Sequence, residues 1–429
     1  MADVKISSTN TRNNPTNTGR TTSWYFGKTG GMPAYFQSIM DMQLAKAFSH
    51  INYGGAESGE IFSTIKKITD GDFESWIQAW AATATRVEGV ARDCLAKDHP
   101  VSARDAFLRA ATYWQAAGFF CTHKDPRSHQ YLMQNRICFQ EACKLMDPEI
   151  EILEIEIDNR KTLPGYFIRA DKTDKPKPTL LVMGGGDTCA EEIYYWGDGA
   201  AAADRGWNAL MFDVSGEPGA LTHDPALKYR PDVEVPISRF VDYALSRKDV
   251  DPERIAIIGH SYGGYMVPRT VAHDHRIKAA IAYPTMPTCR IGWMGALGLD
   301  PFKPYPRDLE SVLDMSNSVV SWLRDVRWAH GMENKTIAEF LDFAGEFTVE
   351  GLEDKITCHY LNMSSEGEGG AIALAKNCIA KMTNCASLTD KLITAEEGGD
   401  AHCGLNNPAL KAQIEFDWLD DIFGLTTRT

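Results

Sequence analysis

Arg254-Ile-Ala-Ile-Ile-Gly259-His-Ser261-Tyr-Gly263-Gly264 is the stretch on which the reading of this chain turns. Residues 254–258 form a short apolar run of buried-strand type, and residues 262–272 read as a helix. Between them lies G-x-S-x-G. In a strand–turn–helix setting this motif is a nucleophile elbow. The serine occupies a strained turn, small residues two positions to either side let the backbone pass close, and the hydroxyl points up near the N–H groups of the following helix. Ser261 is therefore the candidate nucleophile; the alternative is a purely structural Gly-rich turn.

The pattern repeats outward from this stretch. Residues 179–183 precede a helix-like stretch over 190–205, and 208–212 precede 233–247. Residues 278–282 open a longer excursion to about 353, 356–364 precede 371–382, and 391–395 precede 408–423. Strand followed by helix, repeated this way, predicts an α/β fold with a doubly wound, mostly parallel sheet covered on both faces. Residues 151–158 alternate strictly and pair with a second strand over 164–170. The excursion 284–353 carries Trp293, Trp322 and Trp328 and is too long for a plain connection, so it reads as part of a cap.

Before residue 150 the texture is helical. Asp70-Gly-Asp-Phe-Glu-Ser-Trp76 reads as a helix start, and that helix runs through Trp80 to about Ala96. Ser102 is the candidate cap of the next helix, which carries Ala106, Arg109, Ala110 and Tyr113; Asp125-Pro126 opens a third with Tyr131 and Phe139. The expected organisation is a disordered tail over 1–22, an N-terminal helical cap module over 23–148 and a catalytic domain over 149–429. Ligand sites in such sheets lie at the carboxyl ends of the strands, an edge the helical module is placed to roof.

Composition narrows the partners. The 429 residues hold 44 Lys+Arg against 58 Asp+Glu, a net charge of −14, which argues against nucleic acid or an anionic membrane. No apolar run approaches the roughly 18–20 residues of a membrane span. Residues 1–20 are rich in Asn, Thr and Ser and lack an apolar signal core, so no secretory signal is expected. Ten cysteines without a CxxC pair indicate free thiols in a reducing, cytoplasmic compartment, not a disulfide scaffold or a zinc site.

A serine hydroxyl needs a base. Of the five histidines after Ser261 (His273, His275, His330, His359 and His402), His402 sits in a loop after the last strand and before the last helix, where the base of such a fold belongs. The acid should follow the preceding strand. The spacing of Ser365-Glu366-Gly367-Glu368 selects Glu368, with Glu366 as runner-up and Asp400 or Asp213 as alternatives. Oxyanion donors are expected from the Tyr262 N–H and from the loop Met183-Gly184-Gly185-Gly186-Asp187-Thr188, through the N–H of Gly186 or Asp187. A phosphate loop is the alternative there, but neither of its glycine signatures is present. His273-Asp-His275 sits at an exposed helix end with alternate spacing and is not read as a metal pair. No cofactor is expected. Trp76, Trp80, Tyr113 and Trp114 read as helix packing; Arg109 and Tyr113 are also the candidate substrate contacts.

Over residues 70–425 the chain resembles α/β hydrolases of the group related to the fermentation-respiration switch protein. The likeness rests on Asp72-x-Glu-x-Trp76, Ser102-Ala-x-x-Ala-Phe-Leu-Arg-Ala110 with Tyr113, Gly184-Gly-Gly-Asp187 with Glu191-Glu192, Gly259-His-Ser-Tyr-Gly-Gly264 and Asp400-Ala-His-Cys403. Within that group it looks like the fungal polyketide-shortening hydrolases of melanin and conidial-pigment pathways, and more distantly like dihydroxypseudooxynicotine hydrolase. The resemblance implies cleavage of a carbon–carbon bond next to a carbonyl, without metal or cofactor. Carried over by position, Ser261 is nucleophile, His402 base and Glu368 acid, although Glu stands where many relatives have Asp. Ester or thioester cleavage, acyl transfer and cyclisation remain open with the same triad, as does a catalytically silent binding protein. The expected partner is a small polyketide-like molecule, with a second copy in a homodimer also compatible.

Overall fold

The computed structural model describes residues 38–425 apart from 159, 314 and 316, so the tail expected over 1–22 lies outside the described residues. Among the described residues, eight strands form one sheet. They are β1 (Glu151–Glu156), β2 (Thr162–Ile168), β3 (Lys177–Met183), β4 (Asn208–Phe212), β5 (Val250–His260), β6 (Ala279–Tyr283), β7 (His359–Ser365) and β8 (Ser387–Ile393). Their order is β1-β2-β4-β3-β5-β6-β7-β8. β1 and β2 pair antiparallel, as do β2 and β4, and every later pairing is parallel. β1 alternates half-buried and exposed residues, whereas β3, β4 and β6 are buried along almost their whole length. Two-faced burial is what helices on both sides of a parallel sheet impose.

The centre of the sheet explains the position of the site. Ile255, Ala256, Ile257 and Ile258 of β5 have no exposed surface. Burying each isoleucine contributes roughly 1.5–3 kcal/mol, which locks the register. That register sets Met183 of β3 beside Gly259 of β5 and His260 beside Tyr283 of β6. The loops after β3, β5 and β6 therefore emerge side by side at one edge.

Among the described residues, five α-helices precede the sheet: α1 (Ser38–Ser49), α2 (Ser58–Ile65), α3 (Phe73–Ala96), α4 (Pro100–Phe119) and α5 (Pro126–Cys143). Asp72 caps α3 by accepting from the N–H of Glu74 and Ser75 at 3.0 and 3.3 Å, and Asp125 caps α5 through the Arg127 N–H at 2.9 Å. Ser102 is not the cap of α4. That helix starts a turn-fraction earlier, at Pro100 behind His99, because proline is pre-organised for the first helical position. Trp76, Trp80, Phe107, Tyr113 and Phe139 are buried, and their core is continuous with Leu180, Val182 and Ile258 of the sheet.

Two further segments flank the edge. The stretch expected as one helix over 190–205 is broken into Ala190–Ile193, a tight turn Tyr194–Trp196 and Ala200–Asp204. Gly197, at φ 101°, makes the break. Between β6 and β7 the excursion forms helices Cys289–Ala296, Asn317–Ala329 and Ile337–Ala344. Met294, Leu309, Leu323, Ile337, Phe340 and Leu341 give it a small core of its own. All ten cysteines are free thiols. Among the described residues, no helix is long and apolar enough to cross a membrane.

Candidate active site

β5 ends at His260, and the helix Gly263–His273 begins two residues after Ser261. Ser261 lies at φ 55°, a left-handed conformation that costs a non-glycine residue on the order of 1–3 kcal/mol. The Ser261 N–H donates to the Tyr283 carbonyl at 2.8 Å, which pins the turn to the end of β6. On the other side, the loop after β3 presses against it. A Cβ on Gly185 would stand 2.8 Å from Ser261 Cβ, so only glycine permits this approach. Among the described residues, the N–H groups of Gly186, Asp187 and Tyr262 donate to no protein acceptor.

The loops after β7 and β8 bring Glu368 and His402 together. Glu368 Oε1 faces His402 Nδ1 at 3.0 Å and accepts the Cys403 N–H at 3.2 Å. Its other oxygen accepts the Ser365 N–H at 3.2 Å, closing the short turn Glu366–Glu368. His402 Nε2 faces Cys403 Sγ at 3.5 Å, and that thiol donates to the Tyr283 carbonyl at 3.1 Å. One carbonyl thus holds both the Ser261 backbone and the residue beside His402. Burial works against an imidazolium at His402, but the Cys403 sulfur and the Glu368 carboxylate outweigh it and raise the imidazole pKa well above its ordinary value. Burial raises the Cys403 thiol above its ordinary range, with His402 opposing. Glu368, His402 and Cys403 are also the one group among the described residues whose metal-capable atoms lie within 4.8 Å of one another. The shared Glu368 oxygen already serves Nδ1 and a backbone N–H, which an imidazole–carboxylate pair needs with no ion between them.

A cavity of about 240 Å³ opens over this edge. Its walls include Phe119, Gly186, Asp187, Tyr229, Trp293 and Trp322, so it lies between the helical segment and the excursion. The roof closes where His123, just beyond α4, meets Asp325, with Nδ1 2.6 Å from Oδ1. Trp328 stacks on that imidazole at 4.7 Å. Asp187 is held from α1: Lys46 Nζ lies 3.3 Å from its carboxylate and 3.1 Å from Glu192. Burial works against ionisation of Asp187, but Lys46 outweighs it and lowers its pKa.

The remaining candidates stand elsewhere. Glu366 accepts the Ala395 N–H at 2.8 Å and does not reach His402. Asp400 accepts from Asn406 at 3.0 Å, and Asp213 pairs with Arg136 at 3.5 Å. His273 and His359 bond to the Arg269 carbonyl and Ser387, and His275 lies near Thr357. His330 is saturated by the Val326 carbonyl and the Tyr262 hydroxyl. Arg109 and Tyr113, read as candidate substrate contacts, are not among the residues lining the cavity; nor are Ser261 and His402. Arg109 and Tyr113 both bond to Glu60 on α2, at 3.2 and 2.7 Å. The Gln43–Lys46 contacts to Asp187 and the aromatic walls were not singled out in the sequence, since α1 and the excursion carry no motif that marks them.

The doubly wound sheet, with Ser261 at the strand–helix turn and an acid–histidine pair on the neighbouring loops, defines an α/β-hydrolase fold. The chain belongs to the FrsA-like esterase family, whose model matches residues 35–286. It is 34% identical over 253 residues to the alpha/beta hydrolase gkaG of Penicillium citrinum, a match covering 57% of this chain and 58% of that protein, less than two thirds of its length. It is 29% identical over 402 residues to Hydrolase LUC6 of a Fusarium species, covering 87% of this chain and 94% of that one. The crystal structure of 2,6-dihydroxy-pseudo-oxynicotine hydrolase superposes with a TM-score of 0.66 at 17% identity, covering 89% of this chain and 97% of that chain. At that identity the likeness speaks for the fold alone.

Proposed function

We propose that this protein is a serine-dependent hydrolase that cleaves a carbon–carbon bond adjacent to a carbonyl in a polyketide-like molecule. The observation that carries the proposal is the 3.0 Å contact of Glu368 with His402 Nδ1, beside a Tyr283 carbonyl that accepts from both the Cys403 thiol and the Ser261 N–H. Glu368 holds the tautomer, leaving Nε2 free to take a proton. Ser261 Oγ attacks the carbonyl carbon, its proton passes to Nε2, and the C=O electron pair moves onto oxygen. The N–H groups of Tyr262 and of Gly186 or Asp187 receive that charge. Collapse breaks the bond to the α-carbon, which leaves as an enolate and takes the proton from His402. Water, activated by the same imidazole, then releases the acyl group as a carboxylic acid. The sum is substrate plus one water giving two fragments.

The leaving carbon must carry a neighbouring carbonyl or phenolic ring, which stabilises the departing charge. The aromatic walls of the cavity favour such substrates. The esterase description of the family supports a second reading, in which the same serine cleaves an ester or thioester and an alcohol or thiol departs. Product masses separate the two. Wild type and Ser261→Ala are each incubated with aromatic β-diketones and matched esters. The proposal expects two fragments summing to diketone plus water, from wild type only. Ester products alone would establish the second reading, and an isomer of unchanged mass would mean cyclisation.

A further inference from the structure

Tyr229 is buried, yet its hydroxyl has no hydrogen-bond partner among the described residues. An unpaired hydroxyl in such a place is costly unless it meets a ligand. The neighbouring phenol makes the contrast: Tyr262 Oη is satisfied by His330 at 3.0 Å. Tyr229 lines the cavity, and its hydroxyl oxygen lies 3.7 Å from the point where a side chain on Gly186 would begin. Tyr262 Cβ lies 3.9 Å from the same point. The hydroxyl therefore stands beside Gly186 and Tyr262, the two residues whose N–H groups would hold a developing oxyanion.

The surroundings hold it there. Tyr229 packs against the rings of Tyr262 and His330, at 4.8 and 4.6 Å, and its N–H donates to the Ala329 carbonyl at 2.9 Å. Gly216, at φ 98°, provides the floor, since a Cβ there would fall inside the Tyr229 ring. Burial, with Glu217 and Asp187 nearby, holds the phenol well above its ordinary pKa and keeps it a neutral donor.

We infer that Tyr229 is a catalytic residue, its hydroxyl donating a third hydrogen bond to the substrate oxygen held by the Gly186 and Tyr262 amides. The inference rests on the acyl-transfer reading above. As the oxygen gains charge in the tetrahedral intermediate, the donation strengthens; the proton stays on Tyr229, and no bond to it is made or broken. Removing one such donor lowers turnover by roughly 10²–10³.

Tyr229→Phe keeps the ring over Gly216 and deletes only the hydroxyl. Turnover of p-nitrophenyl butyrate is measured beside the affinity for 2,2,2-trifluoroacetophenone, which forms a hemiketal oxyanion with a nucleophilic serine. The affinity for the alcohol 1-phenyl-2,2,2-trifluoroethanol, which cannot form it, is the control. The expected result is a loss of about 100-fold in kcat/KM and in ketone affinity, with alcohol affinity and thermal unfolding unchanged. A variant within threefold of wild type in either of the first two quantities would overturn the inference. An equal loss of alcohol affinity would also overturn it, by assigning the hydroxyl to packing. Ser261→Ala is assayed in parallel: if it retains turnover, the acyl-transfer reading itself fails, whatever Tyr229 does.

Discussion

His402 must be neutral on Nε2 to receive the Ser261 proton, yet Glu368 and Cys403 favour its charged form against burial. Activity is present above the imidazole pKa and lost as pH falls through it, so the acidic limb of kcat/KM lies above the ordinary value of about 6.5. Glu368→Gln removes the carboxylate, moves that limb down and lowers kcat by roughly 10³-fold or more. A pH–rate profile checks both; a wild-type limb at or below 6.5 that the substitution leaves in place would contradict the assignment. The meeting of Glu368 with His402 was legible in the sequence because each residue follows a strand at a short offset. The contacts of Arg109 and Tyr113 with Glu60 were not legible, because Glu60 lies 49 and 53 positions away and carries no pattern that announces it. Tyr229 went unseen for a similar reason: it sits in the long connection after β4, and only the folded loop shows that its hydroxyl is unpaired.

Among the elements, α1 and α5 reach the site edge through buried charges. Arg136 on α5 pairs with Glu191 at 3.1 Å and with Asp213 at 3.5 Å, all three almost fully buried. Arg136→Met removes the buried cation that faces Glu191 and Asp213 and should destabilise the fold by roughly 3–5 kcal/mol, read as a lowered denaturant midpoint. Unchanged stability would mean that the pair carries no net weight. Lys46 on α1 anchors the Gly186-Asp187 loop. Burial pushes its other partner, Glu192, up to about 7, with Lys46 opposing. Lys46→Met should lower kcat by roughly 10- to 100-fold through a displaced loop, with Lys46→Arg recovering part of it. Equal kcat in both variants and wild type would detach α1 from the chemistry. Element types were readable from periodicity, while boundaries slipped where local chemistry overrode it. Pro100 advanced the start of α4, and Gly197 split the stretch 190–205. β8 begins at Ser387, ahead of its apolar residues, because an edge strand tolerates polar side chains along its length.

At the scale of the molecule, the helical segment and the excursion between β6 and β7 close over the same sheet edge and touch at His123 and Asp325. The sequence indicated two covering segments but not where they meet, since that contact joins residues 202 positions apart. Asp325→Ala opens this junction. The expected outcome is a raised KM for bulky aromatic substrates, with kcat for p-nitrophenyl acetate within threefold of wild type. Loss of both together would place the contact in folding instead of enclosure.

The central claim is that Ser261 forms a covalent bond with the substrate's acyl group. A fluorophosphonate probe, followed by intact mass and peptide mapping, tests it most directly. The account predicts a single adduct on Ser261, abolished in Ser261→Ala and slowed in Glu368→Gln. An adduct on another residue such as Cys403, or no adduct from an enzyme that still turns over, would contradict it.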